Sequence, residues 1–280
     1  MFTYKGKNMK RYFNDENFKR VSEDFKFLVD MIRDYKGEVD IRLRDNYFNL
    51  YYKGNSLARI TPRENNYEIA IHERFSKDIF KKDAHFTIKD NDKSKYCSIY
   101  AKSNALPYLF KKEYLTKLFS NIKKVNYSEE ITFEQMLITD NLDRRDFIII
   151  DRQVTETGMA GKLDLLALRQ KRDNHYYFEV VEVKLGNNKE LAFDVGQQLN
   201  KYITHIESNI KDWVSSYEET YRQMKALKLF EKLPWDEIEI EKVVKGVVVV
   251  GGYSGIAKES LQKLRKHYPK LNIKVFKNKL

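Results

Sequence analysis

Two apolar runs constrain this chain more than any other feature. The first is Gly161-Lys162-Leu163-Asp164-Leu165-Leu166-Ala167-Leu168. The second is Tyr176-Tyr177-Phe178-Glu179-Val180-Val181-Glu182-Val183-Lys184-Leu185-Gly186. Both are rich in leucine, β-branched or aromatic residues, as buried strands are. The polar residues Arg169 to His175 between them have the length of a hairpin loop. Two adjacent strands of one sheet are therefore expected.

Charges interrupt these runs. Asp164 stands near the start of the first, Glu182 and Lys184 in the second. Residues two apart in a strand share a face, so Glu182 and Lys184 point one way and Val181 and Val183 the other. If Asp164 lies across from Glu182, two carboxylates and an ammonium converge on one side of the sheet. Buried charge is costly unless it is paired or bound to a metal. Two neighbouring carboxylates repel each other unless a cation lies between them. Their oxygens suit a hard ion such as Mg²⁺ or Mn²⁺. Such an ion activates water and neutralises charge on a phosphoryl oxygen. Lys184 is placed to orient that water or stabilise that charge. Read alone, the triplet is more readily a structural ion pair, Lys184 with Asp164 or Glu182, at a sheet edge.

The segment that follows, Glu190 to Ile203, has helical spacing and sets Gln198 and Tyr202 four apart on one face. Asp164, Glu182-x-Lys184 and Gln198-Leu199-x-x-Tyr202, in that order, resemble the PD-(D/E)XK nuclease superfamily, in particular its RecB-like branch. Gly161-Lys162-Leu163-Asp164-Leu165-Leu166 is similar to that family's G-x-x-D-hydrophobic first motif, with Leu163 where proline is usual. The resemblance covers residues 129 to 280. It implies an α/β fold, a restriction-endonuclease-like mixed sheet flanked by helices. It also implies a metal-dependent nuclease, with endonucleolytic cleavage favoured and DNA favoured over RNA. Asp164, Glu182 and the Val183 carbonyl would hold Mg²⁺ or Mn²⁺. Lys184 would serve the water or the transition state. Gln198 would support Lys184 or the water, and Tyr202 would position the helix or the substrate. The family often adds a glutamate from the helix before the first core strand. Glu134 occupies that position, with Glu129 and Glu130 as rivals. Modules of this kind serve repair, restriction and phage defence. The rival reading is a non-catalytic nucleic-acid-binding or assembly protein that keeps the architecture.

The 280 residues suit one large or two modest domains, with a boundary near Asn126: an α+β domain over 1–126 and the nuclease-like domain over 127–280. A hydrophobic fraction of 42% supports a sizeable core. No run has the length of a membrane span, and the opening residues are not a signal peptide. A single cysteine, Cys97, excludes an internal disulfide framework and fits a cytoplasmic setting. The net charge of +11 favours a polyanionic partner, nucleic acid first. Residues 1–130 hold 27 Lys+Arg against 19 Asp+Glu; residues 131–280 hold 25 against 22. A homodimer or larger homo-oligomer is compatible with the sequence.

In the first half, residues 14 to 35 read as one amphipathic helix, capped by Asn14 or Asp15 and stopped at Gly37. An antiparallel meander follows over Val39–Arg44, Tyr47–Tyr52, Ser56–Ile60 and Tyr67–His72. Arg42, Arg44 and Arg59 are expected on its polar side, where, with Tyr47, Phe48, Tyr51 and Tyr52, they could bind phosphates and stack bases; the preferred alternative is a solvated sheet face with these aromatics in the core. Residues 75 to 105 are lysine-rich and read as polar loop. Leu109 to Val125 reads as a basic helix, whose Lys111 and Lys112 are further candidates for backbone contact. The five histidines are read as structural. Near the end, Gly251-Gly252-Tyr253-Ser254-Gly255 lacks the spacing of a phosphate-binding loop and reads as a tight strand-to-helix turn.

Overall fold

The computed structural model describes residues 9–77, 79–80, 84–89, 94–125 and 128–277. The expected loop residues Asp90 to Lys93, the lysines Lys81 and Lys82, the boundary residue Asn126 and the opening residues Met1 to Asn8 lie outside them. The chain forms two compact units. The N-terminal unit comprises Arg11–Gln135 and Gln223–Glu231. The C-terminal unit comprises Met136–Arg222, the chain from Lys232 onward and, of the described opening residues, Met9 and Lys10.

In the N-terminal unit the first helical stretch is two helices, α1 (Asp15–Asp24) and α2 (Lys26–Asp34), broken at Phe25, where φ is −108° and ψ 12°. Asn14 is the N-cap, its side chain accepting the Asn17 N–H. Phe25 turns into the core, 1% exposed, with its ring edge-on to Phe48 and Tyr67. The sheet has six strands: β1 (Val39–Arg44), β2 (Tyr47–Tyr52), β3 (Asn55–Pro62), β4 (Tyr67–His72), β5 (Phe86–Lys89) and β6 (Tyr96–Ala101). Their order is β1-β2-β3-β4-β6-β5, antiparallel throughout. Between β4 and β5 lies the short α3 (Glu73–Ser76). The meander is as expected, but β5 and β6 correct the reading of 75–105 as loop. Phe86, Ile99 and Ala101 are buried and carry the alternation that the surrounding lysines hide. The basic helix divides into α4 (Leu106–Leu109) and α5 (Lys112–Val125), which buries Leu115, Leu118, Phe119 and Ile122. The last helix of this stretch, α6 (Glu129–Asp140), contributes residues to both units.

The C-terminal unit is a mixed five-stranded sheet of order β11-β10-β9-β8-β7. Strands β7 (Phe147–Val154), β8 (Leu163–Arg172) and β9 (His175–Leu185) form an antiparallel meander. Strand β8 runs longer than expected, to Arg172, and its hairpin with β9 turns on Asp173 and Asn174, with Asp173 at φ 39°. From β9 the chain crosses through α7 (Asp194–Ser208) and α8 (Ile210–Ala226) to β10 (Glu239–Gly251), parallel to β9. It then crosses through α9 (Ser254–His267) to β11 (Asn272–Phe276), parallel to β10. Such crossovers need helices, because parallel strands cannot be joined by a tight turn. Helix α7 packs on β10 where Gly246 lets Leu199 and Ile203 come close. The aromatic face of α8, Trp213 and Tyr217, packs edge-on to Phe178 of β9. The glycine-rich stretch is indeed the turn from β10 into α9. Beside it only a glycine fits at Gly186, since a Cβ there would lie 2.6 Å from the Gly252 carbonyl oxygen. The expected class, a mixed α/β sheet flanked by helices and preceded by an α+β unit with an antiparallel meander, is the one observed. Among the described residues, no helix is long and apolar enough to cross a membrane.

Candidate functional site

The site begins where two strands part. Backbone pairing between β8 and β9 ends at Leu165 opposite Val181, while β8 stays paired to β7 as far as Leu163. At the opening, the Val183 N–H donates to the Asp164 carboxylate (2.9 Å), so a side chain replaces the missing strand partner. Continuing the register one step sets Asp164 opposite Glu182. Residues opposed in this way share a sheet face, with Cβ atoms about 5 Å apart. The two carboxylates therefore face the same side.

Lys184 lies on that side too. Its ammonium is 3.1 Å from the Glu182 carboxylate and 3.0 Å from that of Glu190. Glu182 is fully buried, Lys184 7% exposed, and Asp164 half-buried. Burial is the largest influence on Lys184 and pulls its pKa down. The Glu182 charge, the Glu190 hydrogen bond and the Asp164 charge together outweigh it and hold the ammonium above the ordinary lysine value. Three carboxylates thus surround one cation.

Helix α7 closes the site. Gln198 donates its side-chain N–H to the Tyr202 hydroxyl (2.8 Å), which donates in turn to the Lys162 carbonyl (3.1 Å). The four-residue spacing seen in the sequence is thus a hydrogen-bonded pair that ties the helix to the start of β8. Burial pushes the Tyr202 hydroxyl pKa up. The Gln198 bond opposes this, while the charges of Glu182 and Asp164 add to it. Gly161 explains itself here: it has φ +101°, and a Cβ would lie 2.8 Å from the Tyr202 hydroxyl. The residue makes room for a tyrosine. The preceding turn is pinned by Glu156, whose carboxylate is 2.7 Å from His205 Nε2 and accepts from Trp213 Nε1 (3.1 Å).

Asp164, Glu182, Lys184, Gln198 and Tyr202 are therefore gathered on one face of one unit. The Val183 backbone is adjacent, since its N–H binds Asp164. Glu134 is on the part of α6 that belongs to the other unit, where it is 3% exposed. Glu190 was not singled out by the sequence motifs. Its one signal is Asn188, which caps the turn after β9 by accepting the Glu190 N–H and so fixes an acid beside the strand end.

The arginines of β1 require a correction. Arg42 and Arg44 are not on a solvated face but are 4% and 3% exposed. Arg42 pairs with Asp40 at 3.2 Å, and Arg44 donates to the Leu43 carbonyl and the Tyr51 hydroxyl. Phe48, Tyr51 and Tyr52 are core residues, Tyr52 stacked on Phe119 at 3.8 Å. A β-strand with both faces covered reads as alternating charge in sequence, because the alternation shows period and not solvent. Lys111 and Lys112 are exposed as expected, and the Lys111 ammonium sits over the Tyr114 ring at 4.4 Å.

Among the described residues, no group of three or more His, Cys, Asp or Glu is spaced to hold a metal ion. The donors here are two carboxylates and a backbone oxygen. That set fits Mg²⁺ or Mn²⁺, which commonly takes one or two carboxylates and fills its remaining positions with water and substrate phosphate. No protein-family model matches this chain, and neither curated proteins nor solved structures give a match.

Proposed function

We propose that the chain is a Mg²⁺- or Mn²⁺-dependent nuclease, acting on DNA in preference to RNA, with Asp164, Glu182 and Lys184 at its centre. The observation that carries this reading is the anionic excess on one sheet face, where Asp164, Glu182 and Glu190 surround a single ammonium. A structural ion pair needs one carboxylate per cation. Three carboxylates converging beside a strand opening suit a divalent ion and a phosphate.

The ion, when bound by Asp164, Glu182 and the Val183 carbonyl, would supply Lewis-acid activation of water and charge neutralisation at the phosphoryl group. The chain's own residues do the rest. Lys184 is held charged by its carboxylate neighbours and offers an ammonium to the developing negative charge. Gln198 and Tyr202 hold α7 against the Lys162 carbonyl and so fix the wall beside Lys184. The Val183 N–H fixes the Asp164 carboxylate. Asp164→Asn and Lys184→Ala should each remove Mn²⁺-dependent cleavage of single- and double-stranded DNA while the variants stay folded by circular dichroism. Cleavage surviving in both variants would sink the reading.

One observation favours a second reading, a nucleic-acid-binding or assembly protein without catalysis. The Lys184 ammonium already neutralises Glu182 at 3.1 Å. Salt-dependent DNA binding, with no Mn²⁺ uptake by calorimetry and no cleavage, is the pattern that this reading predicts.

A further inference from the structure

The positive charge of the C-terminal unit is concentrated in its last helix and strand. Residues 136–222 and 232–253 hold 15 Lys+Arg against 19 Asp+Glu, whereas residues 254–280 hold 8 against 1. On α9 the apolar residues Ala257, Leu261 and Leu264 are buried. Lys258, Lys263, Arg265 and Lys266 are exposed around them, Lys270 is exposed in the turn, and Lys274 and Lys277 are exposed on and after β11. Among the described residues, none of these seven is in an ion pair. Elsewhere in the unit some cations are paired, Arg169 with Glu179 at 2.6 Å and Lys171 with Glu241 at 3.0 Å.

This surface adjoins the carboxylate site. His267, at the end of α9, stacks edge-on to Phe193 at 4.5 Å, and the Tyr268 ring lies against Gly196. Phe193 and Gly196 fall between Glu190, which holds Lys184, and Gln198, which holds Tyr202. Phe193 is 46% exposed and Phe276, on β11, is 47% exposed. A row of unmatched cations with accessible aromatic rings is the pattern that tracks a nucleic-acid backbone and stacks its bases.

We propose that α9 and β11 form the nucleic-acid-binding surface of this protein, leading the phosphate backbone past Phe193 to the Asp164–Glu182 opening. It takes from the reading above only the identity of the polyanion. Nucleic acid is favoured over an anionic membrane because the cations run beside the segment that lines the carboxylate site, an adjacency to which a lipid surface gives no role.

The test is binding of fluorescent single- and double-stranded DNA to the full chain across a salt series. The triple variant Lys266→Ala, Lys270→Ala, Lys274→Ala is compared with wild type, and Lys171→Ala serves as an exposed control. Each lost phosphate contact lowers the slope of log affinity against log salt by about 0.9 on duplex DNA. The triple variant should lower the slope by about 2 to 3 and weaken binding at least tenfold, while Lys171→Ala changes neither. Wild type that does not bind DNA, or a triple variant with unchanged slope and affinity, would overturn the proposal. So would a triple variant that loses only binding to phosphatidylserine vesicles. DNA binding that depends on these lysines in a protein that cleaves nothing would retain the surface and discard the nuclease reading.

Discussion

Both sheets bury charge inside apolar strands, but they balance it differently. On β1, Asp40 and Arg42 stand two apart and pair with each other, one anion to one cation, while Arg44 is held by the Leu43 carbonyl and the Tyr51 hydroxyl. On β8 and β9, Asp164 and Glu182 meet the single ammonium of Lys184, and Glu190 adds a third carboxylate. Burial is the same in kind, so it does not distinguish structure from chemistry. The number of carboxylates about the cation differs: one beside Arg42, three about Lys184. The strand partner differs as well. The pairing of β1 with β2 runs without a break from Val39 to Arg44, while β8 leaves β9 at Leu165, next to the acids.

That contrast is most exposed to failure through activity. Removing Lys184 by alanine should cost on the order of 10² to 10³ in cleavage rate, whereas Arg42→Met should leave the rate of the folded protein unchanged. A rate equally damaged by both would erase the distinction. Breaking the buried Asp40–Arg42 pair by Arg42→Met is expected to cost about 3 to 5 kcal/mol, read by urea denaturation of the N-terminal unit's signal. Mn²⁺ sharpens the comparison further. At a hundredfold excess over its Kd it should stabilise wild type by about 2.7 kcal/mol and Asp164→Asn not at all, and Asp40→Asn should respond as wild type does. Next comes Gly161→Ala, which places a Cβ against the Tyr202 hydroxyl at a positive φ. A loss of about 1 to 3 kcal/mol is expected in thermal melts. The smallest effect belongs to Glu68 in the N-terminal sheet. Burial pushes its pKa up, but hydrogen bonding and charge from Arg63, with a bond from Ser98, bring it below the ordinary glutamate value of 4.5. Its contribution is therefore present above pH 4.5 and fades as pH falls through the lowered folded-state pKa. Because Arg63 is half-exposed, Glu68→Gln should lose less than about 1 kcal/mol at pH 7, a difference that should narrow in melts below pH 4.

The C-terminal sheet was legible because its signal is local. Leu163 to Leu168 and Val180 to Leu185 carry strand period and motif spacing together, and Gln198 to Tyr202 is one turn of helix. The N-terminal unit was less so. Phe86 and Ile99 are buried in strands that lysines surround, and Arg42, which looks solvated in the sequence, is 4% exposed and paired with Asp40. Phe25 breaks a helix that periodicity alone would continue, because its ring is taken up by Phe48 and Tyr67. Glu190 was missed because it belongs to no motif, and only its approach to Lys184 in space gives it a role.

Helices α6 and α8 each supply residues to both units, and the chain passes from one unit to the other four times, near residues 10, 135, 222 and 231. Neither unit is a contiguous cassette. A truncation at 126 would carry off neither the segment Gln223–Glu231, whose Gln223 bonds both backbone groups of Phe13, nor the front of α6, whose Gln135 caps the Gly37 carbonyl. The acid-bearing sheet therefore cannot be excised as a free-standing module by one cut. Any exchange of binding specificity between such proteins would have to proceed by substitution in place, not by recombination of whole parts.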